Sequence, residues 1–399
     1  DFSQVEADAG QVQVNERFAL FFAEARPFFL EGTEIFGMPK QLVYTRTIQN
    51  PIAGGKLTGK VGGLNVGYLG AVDETFSAGG ESVYVNLLRA RADVGASSTI
   101  GAVYTDRTAN ASEFNRVAGA DARIQLGGRY TVTMMSARSF TNEASFSERR
   151  DGTMGFLRLE RAGRTFQYSA EFEDTQGAFN PGSGFFQRIG TAQANSRASY
   201  TWFGRRDALL ESMAPSIEVK AFWDHDRFWG GQSFEEGEIQ LSSRFGFKNN
   251  ITIWANYQLS RFQYQPEQYE GLFVQGSGGS TQPFRPAQEE FDLMPSATVG
   301  IWVNRWQKVR GNVRFTRSQR PIFDRFYRVA VEPANSLSGE ARLNLYPTSS
   351  LSAEVGANWS RLTRRSDGVE HSTAIIPRVR VRYQFSRALF LRSIFEYGS

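Results

Sequence analysis

A chain of 399 residues carries 45 Lys and Arg against 41 Asp and Glu, a formal charge of +4 with no basic block, which argues against a nucleic-acid footprint. It has no cysteine, excluding disulfides, thiolate nucleophiles and zinc–thiolate sites, and no run of about 18 apolar residues that would read as a transmembrane helix. Aromatics at 14%, 39 Gly and only 22% charged residues describe strands punctuated by glycine.

The first 40 residues show no two-residue alternation. "NERFALFFAEARP" sets Phe18, Phe21, Phe22 and Ala25 at helical spacing after Asn15 and before Pro27, predicting a short amphipathic helix, with an irregular or strand form left open. "EARPFFLEGTEIF" follows, packing Arg26, Phe28 and Phe29 between the carboxylates Glu24, Glu31 and Glu34.

From about residue 50 the dominant pattern has period two, the mark of strands whose faces meet different surroundings. Ile239, Leu241, Phe245 and Phe247 oppose Glu238, Gln240, Ser242 and Arg244. Leu351, Ala353, Val355, Ala357 and Trp359 oppose Ser352, Glu354, Asn358 and Ser360. Tight connections, such as "GKVGGL" around Gly62, "DVGASS" around Gly95, "LGGR" at 126–129 and "FKNN" at 247–250, take turns with long polar ones. The long ones fall near 73–81, 106–115, 139–152, 174–187, 224–233, 265–288, 318–332 and 364–371.

This rhythm predicts an all-β chain, a transmembrane antiparallel β-barrel of about 18–20 strands with short turns on the periplasmic side and long loops outside. Residues 1–40 are then a plug or periplasmic-side cap and 41–399 the barrel, "LVYTRTI" (42–48) being a further candidate strand. A soluble sandwich or propeller would alternate as well. Strands of about ten residues suit a tilted bilayer crossing better than a soluble sheet. Aromatics gathered at strand ends, as in "SYTWF" (199–203), "AFWDHDRFW" (221–229) and "FDRFY" (323–327), suit interfacial girdles.

In a barrel the polar face lines the lumen. That places Arg89, Arg91, Arg123, Arg310, Arg314, Arg342, Arg378, Arg380 and Arg382 inside, interleaved with carboxylates such as Asp93, Asp121, Glu160 and Glu340. A lumen this wide exceeds what wall side chains fill. The 1–40 segment is the expected filler, its Phe28 and Phe29 packing together while Glu24, Arg26, Glu31 and Glu34 bond the charged wall.

Two histidines leave little room for His catalysis. His225, between Asp224 and Asp226, is the one candidate for a rim hydrolase, against the plainer reading of a solvated loop start. The acids Asp224, Asp226, Glu235 and Glu236 lack EF-hand spacing, so no metal is expected, and "GSGGS" (276–280) reads as a loop tip, so no cofactor is expected either.

"DFSQVEAD" (1–8), "FALFFAEARPFFLEGTEIF" (18–36) and "VYTRTI" (43–48), with "AGGKLTGKVGGLNVGYLGAV" (53–72) and "FNPGSGFFQRIG" (179–190), resemble a family of bacterial outer-membrane proteins of unassigned function. Its members carry a carbohydrate-binding family 9-like module followed by a large β-barrel. The resemblance implies the outer membrane of a Gram-negative-type bacterium, membrane lipid and an upstream carbohydrate-binding module as partners, and one more hairpin beyond Ser399. It also implies a saccharide-related solute, on which Phe228, Trp229, Phe273 and Phe284 could stack. The expected role is a channel or transporter-like barrel with a constricted polar lumen; an anchoring scaffold and a barrel-embedded hydrolase stay open, and the oligomeric state is not given by sequence.

Overall fold

A computed structural model describes residues 21–74, 82–143, 148–263, 273–275, 281–283, 290–322, 332–387 and 389–397. The motif at 1–8, Asn15, Phe18, the rings of 323–327 and Phe284 lie outside them.

In chain order the first strands are β1 Pro51–Val61, β2 Leu64–Asp73, β3 Val83–Val94, β4 Ser98–Asn110, β5 Glu113–Leu126, β6 Tyr130–Asn142 and β7 Arg150–Arg161. Then come β8 Phe166–Thr175, β9 Thr191–Tyr200, β10 Trp202–Phe203, β11 Leu210–Asp224, β12 Glu236–Phe247, β13 Ile251–Gln263, β14 Phe273–Gln275 and β15 Thr281–Pro283. The last are β16 Glu290–Val303, β17 Val309–Pro321, β18 Pro333–Leu345, β19 Leu351–Arg364, β20 Glu370–Gln384 and β21 Phe390–Glu396. Two short helices, α1 Pro27–Leu30 and α2 His225–Trp229, complete the set with two 3₁₀ turns.

All strands but β14 and β15 join one 19-stranded antiparallel sheet. Setting aside the two-residue β10, 18 strands of 7 to 15 residues run as an up-and-down meander, within the expected 18 to 20. Among the described residues no pairing joins β1 to β21.

One end of the meander carries tight turns. At Gly127–Gly128 and Asn249–Asn250 two successive residues take positive φ (55°, 71°, 67° and 57°), which glycine and asparagine tolerate and most residues do not. The other end carries the longer connections, such as 176–190 and 225–235. Two connections expected there to be long are short. β4 and β5 are joined by residues 111–112 alone, where the Ser112 amide donates to Asn110 Oδ1 at 2.9 Å, and β19 and β20 by 365–369. Their polar residues belong to the strands themselves, which run on to Asn110, to Arg364 and back from Glu370.

Register separates two faces. Leu88, Ile100, Leu157, Leu241, Val313 and Ile375 point outward, each more than a third exposed. The inner face changes along its height. Toward the long-connection end it is apolar and covered: Leu69, Ala71, Val83, Val85, Leu87, Val117, Met135, Met154 and Phe156 are buried in one cluster with residues of the 21–50 segment. Toward the tight turns it is charged. Exposed rings stand at the tight-turn end, among them Tyr130, Phe166, Tyr200, Trp202 and Phe385.

Candidate functional site

Residues 21–50 form one irregular segment against the inner face. "LVYTRTI" belongs to it and not to the wall: Leu42, Val43 and Ile48 are buried in the segment's core, Thr45–Thr47 is a 3₁₀ turn, and the wall begins at Pro51. The expected amphipathic helix is also absent over 21–26. A helix that short is marginal alone, and Phe21 instead packs on Tyr44 (5.3 Å) and Phe185 (5.4 Å). The single turn α1 starts at Pro27, whose missing N–H costs nothing at a first helical position. Gly32, at φ 66°, then reverses the chain into Thr33–Phe36.

Arg26 organises the segment. It is 1% exposed and its guanidinium lies 4.1 Å over the Phe29 ring, itself fully buried. Nε donates to Glu24 Oε1 at 2.8 Å and Nη2 to Glu24 Oε2 at 2.7 Å, a two-pronged pair. Nη1 donates to the Ile48 carbonyl at 2.8 Å and Nη2 to the Thr45 carbonyl at 2.9 Å. Burial alone would raise the Glu24 carboxyl, but hydrogen bonds from Arg26 and the Thr45 hydroxyl (2.6 Å) outweigh it and hold the group at about 2.

Arg26 and Glu24 therefore satisfy each other and their own segment, not the wall. Glu31 and Glu34 are exposed, and among the described residues neither carboxylate has an ion-pair partner. Other residues make the attachment. Lys56 of β1 donates to the Phe28 carbonyl at 2.7 Å and to the Glu31 carbonyl. Asp73, fully buried at the end of β2, accepts from the Gln49 and Asn50 amides at 3.0 and 2.8 Å. Arg107 of β4 donates to the Thr47 carbonyl at 3.1 Å. Lys40 bridges Glu171 and Glu173 of β8. The 176–190 connection joins in, with Tyr44 N to Ser183 O at 2.7 Å and Phe185 N to Gln41 O at 2.9 Å. A sequence signal existed for two of these: Lys40, Lys56 and Lys60 are half of the six lysines and crowd the start of the chain.

The segment also has a side. It enters β1 at Pro51, whose register partner is Asp73, so it joins the wall at the long-connection end. The inner residues it buries lie in that half of the strands.

All nine wall arginines sit on the inner face by register. Arg89 is fully buried and pairs with Asp121 at 2.5 and 3.0 Å, reaching two strands across by lying over Gly101, where a Cβ would stand 2.6 Å from Nη1. Arg123 donates to the Ser97 carbonyl at 3.3 Å. Arg314 pairs with Glu340 (2.7 Å), Arg342 with Glu340 (3.4 Å) and Arg378 with Glu396 (3.5 Å).

His225 is bonded through Nδ1 to Asp174 Oδ1 at 2.7 Å, while Trp229 Nε1 donates to Asp174 Oδ2 at 3.1 Å. Nε2 lies 4.0 Å from Asp226 Oδ1. Asp224 is spent as the cap of α2, accepting the Asp226 and Arg227 amides. These contacts fold α2 onto the outer surface, its Phe228 between Phe172 and Trp223 at 5.3 Å from each. Both ionic neighbours of the ring are carboxylates.

Between segment, 176–190 connection and wall lies a cavity of about 500 Å³. Phe21, Phe186 and Phe222 line it beside Gln41, Gln193 and Arg188.

The architecture thus defined is an antiparallel β-barrel wall carrying an inward-folded segment. Residues 1–60 match a family described as a domain of unknown function, DUF5916. No curated protein matches the chain. Among solved structures, the ferric yersiniabactin uptake receptor FyuA from Yersinia pestis is similar at 9% identity and a TM-score of 0.40, covering 87% of this chain and 59% of its own. The siderophore receptor PirA from Pseudomonas aeruginosa aligns at 10% identity and 0.40, over 86% and 72%. BauA, the ferric preacinetobactin receptor from Acinetobacter baumannii, aligns at 8% and 0.34, over 88% and 62%. The chain spans about three fifths of the length of the first of these receptors.

Proposed function

We propose that this chain is an outer-membrane β-barrel of a Gram-negative-type bacterium, through which a solute passes, and that residues 21–50 narrow its pathway. One observation carries the reading: outward side chains are apolar and exposed at mid-strand, while the opposite face bears arginines, some of them paired with carboxylates and others without a carboxylate among the described residues. In water that distribution is inverted; in a bilayer it is the required one. With tight turns toward the periplasm, the segment enters from the outside and acts as a constriction of the outer mouth, in place of a periplasmic-side cap. A saccharide-related solute, and an upstream carbohydrate-binding module that feeds it, are the finer form of this proposal. The cavity's rings and planar amides favour it, since ring faces stack on sugars while amides bond hydroxyls.

The test is single-channel recording of the purified chain in planar bilayers. Measurable conductance that increases when the segment is loosened by Arg26→Ala is expected. Silence from both proteins would overturn solute passage and leave the anchoring scaffold.

A further inference from the structure

We infer that the solute handled by this barrel is anionic, and that arginines of β17–β20 form the site that draws it in. The inference rests on the proposed solute pathway and names the charge class of what uses it. In the tight-turn half of these four strands, register places Arg310, Arg314, Arg342, Arg378, Arg380 and Arg382 on the inner face against Glu340 and Glu354 alone.

The acids are already committed. Glu340 holds both Arg314 and Arg342, Glu354 leans to Arg342 at 4.0 Å although Arg380 is its register partner, and Arg378 is met by Glu396. Arg310, Arg380 and Arg382 then have no carboxylate among the described residues. Arg310 stacks over Tyr346 at 5.5 Å. Arg382 stacks over Phe390 at 4.8 Å and donates to Gln384 Oε1 at 2.8 Å. Arg380 Nε is buried with no hydrogen-bond partner.

Like charges two residues apart on one strand face stand about 7 Å from each other, and such neighbours destabilise a sheet unless something neutralises them. Guanidinium forks match carboxylate and phosphate oxygens in pairs. A low-dielectric wall lined by one sign of charge also concentrates the opposite ion. The fitting ligand is a small soluble anion bearing carboxylate or phosphate oxygens; the sheet itself separates this face from the lipid.

The test has two arms. In a KCl gradient the reversal potential of the wild-type channel is expected to show anion preference. The triple variant Arg310→Gln, Arg380→Gln, Arg382→Gln should lose it, anion occupancy falling about twofold per charge at ~8 Å in a water-like dielectric, about tenfold in all. Arg116→Gln, whose partner Asp106 lies on the other face, should change nothing. Cation preference, or selectivity unchanged in the triple variant, overturns the inference while leaving the pathway standing. Should no current flow at all, the pathway reading fails, and calorimetric titration with inorganic pyrophosphate decides alone: binding lost in the variant supports the site, and absence of binding to the wild type overturns it. Arg380→Gln by itself is the fallback where the triple variant does not fold.

Discussion

Arg26→Ala is the sharpest perturbation of the segment. It removes four hydrogen bonds at 2.7 to 2.9 Å, stripping the Glu24 carboxylate, 12% exposed, of its only ion-pair partner among the described residues and taking the guanidinium donor from the Ile48 and Thr45 carbonyls. Deleting one partner of a buried pair costs about 3–5 kcal/mol, and the lost stacking on Phe29 adds about 1 kcal/mol. Water entering the vacated volume recovers part of this, so docking should weaken by about 3 kcal/mol, on the order of a hundredfold in local opening. Hydrogen exchange reads it directly. The Phe29 and Leu30 amides donate to Arg26 O and the Ile48 amide to Thr45 O, and all three should exchange about a hundredfold faster, with β5 unchanged. In a double-mutant cycle with Glu24→Ala the two losses should fall well short of additive. Exchange within twofold of wild type would refute the idea that this residue holds the segment.

Glu24 makes the docking acid-sensitive. Its carboxyl is held at about 2, below the ordinary 4.5, so its contribution is complete above pH 4.5 and drains away as pH falls toward 2. Exchange over residues 26–50 should accelerate through that window in the wild type and lose the dependence in Arg26→Ala. Gly152→Ala should detach the 176–190 connection, because a Cβ there overlaps the Phe179 backbone nitrogen, and backbone cannot rotate aside as a side-chain tip can. Faster proteolysis within 176–190 at intact strand content is the expected result. Leu241→Arg, outward and half exposed on β12, should destabilise insertion into liposomes by about 2–4 kcal/mol if the band meets lipid, and be neutral if it meets water.

Strand content and facing were legible because they depend on one local property, period-two alternation. Ile239 and Leu241 point out and Arg244 in, as their spacing requires. Connection lengths were less so. Asp106, Arg107 and Asn110 look like loop residues, yet they extend β4 past the apolar band, where composition no longer distinguishes strand from loop. The interior was hardest. "EARPFFLEGTEIF" announced a charged apolar unit, but whether Arg26 bonds the wall or its own segment depends on Thr45 and Ile48 arriving beside it. That is a tertiary event with no pattern in the neighbouring sequence. The pairing of Lys56 with the Phe28 and Glu31 carbonyls is equally invisible, since backbone acceptors leave no mark in composition.

The side from which the segment enters separates two kinds of device. On the proposed orientation, a filler tethered at the tight-turn end would leave through that end when pulled, whereas one tethered at the long-connection end, where Pro51 opposes Asp73, would hinge outward. Chain topology alone makes the distinction, and the absence of cysteine from these 399 residues makes it testable, since a cysteine introduced here is the one thiol among them. Ala25 is exposed on the segment, and Ala96 is exposed in the tight turn between β3 and β4. Ala25→Cys should react with a membrane-impermeant maleimide added to intact cells, and Ala96→Cys only after the outer membrane is opened. Arg26→Ala in the same background should speed labelling at position 25, because the hinge then opens more often. Labelling in the reverse order would place the segment on the inner side and make it a periplasmic cap after all.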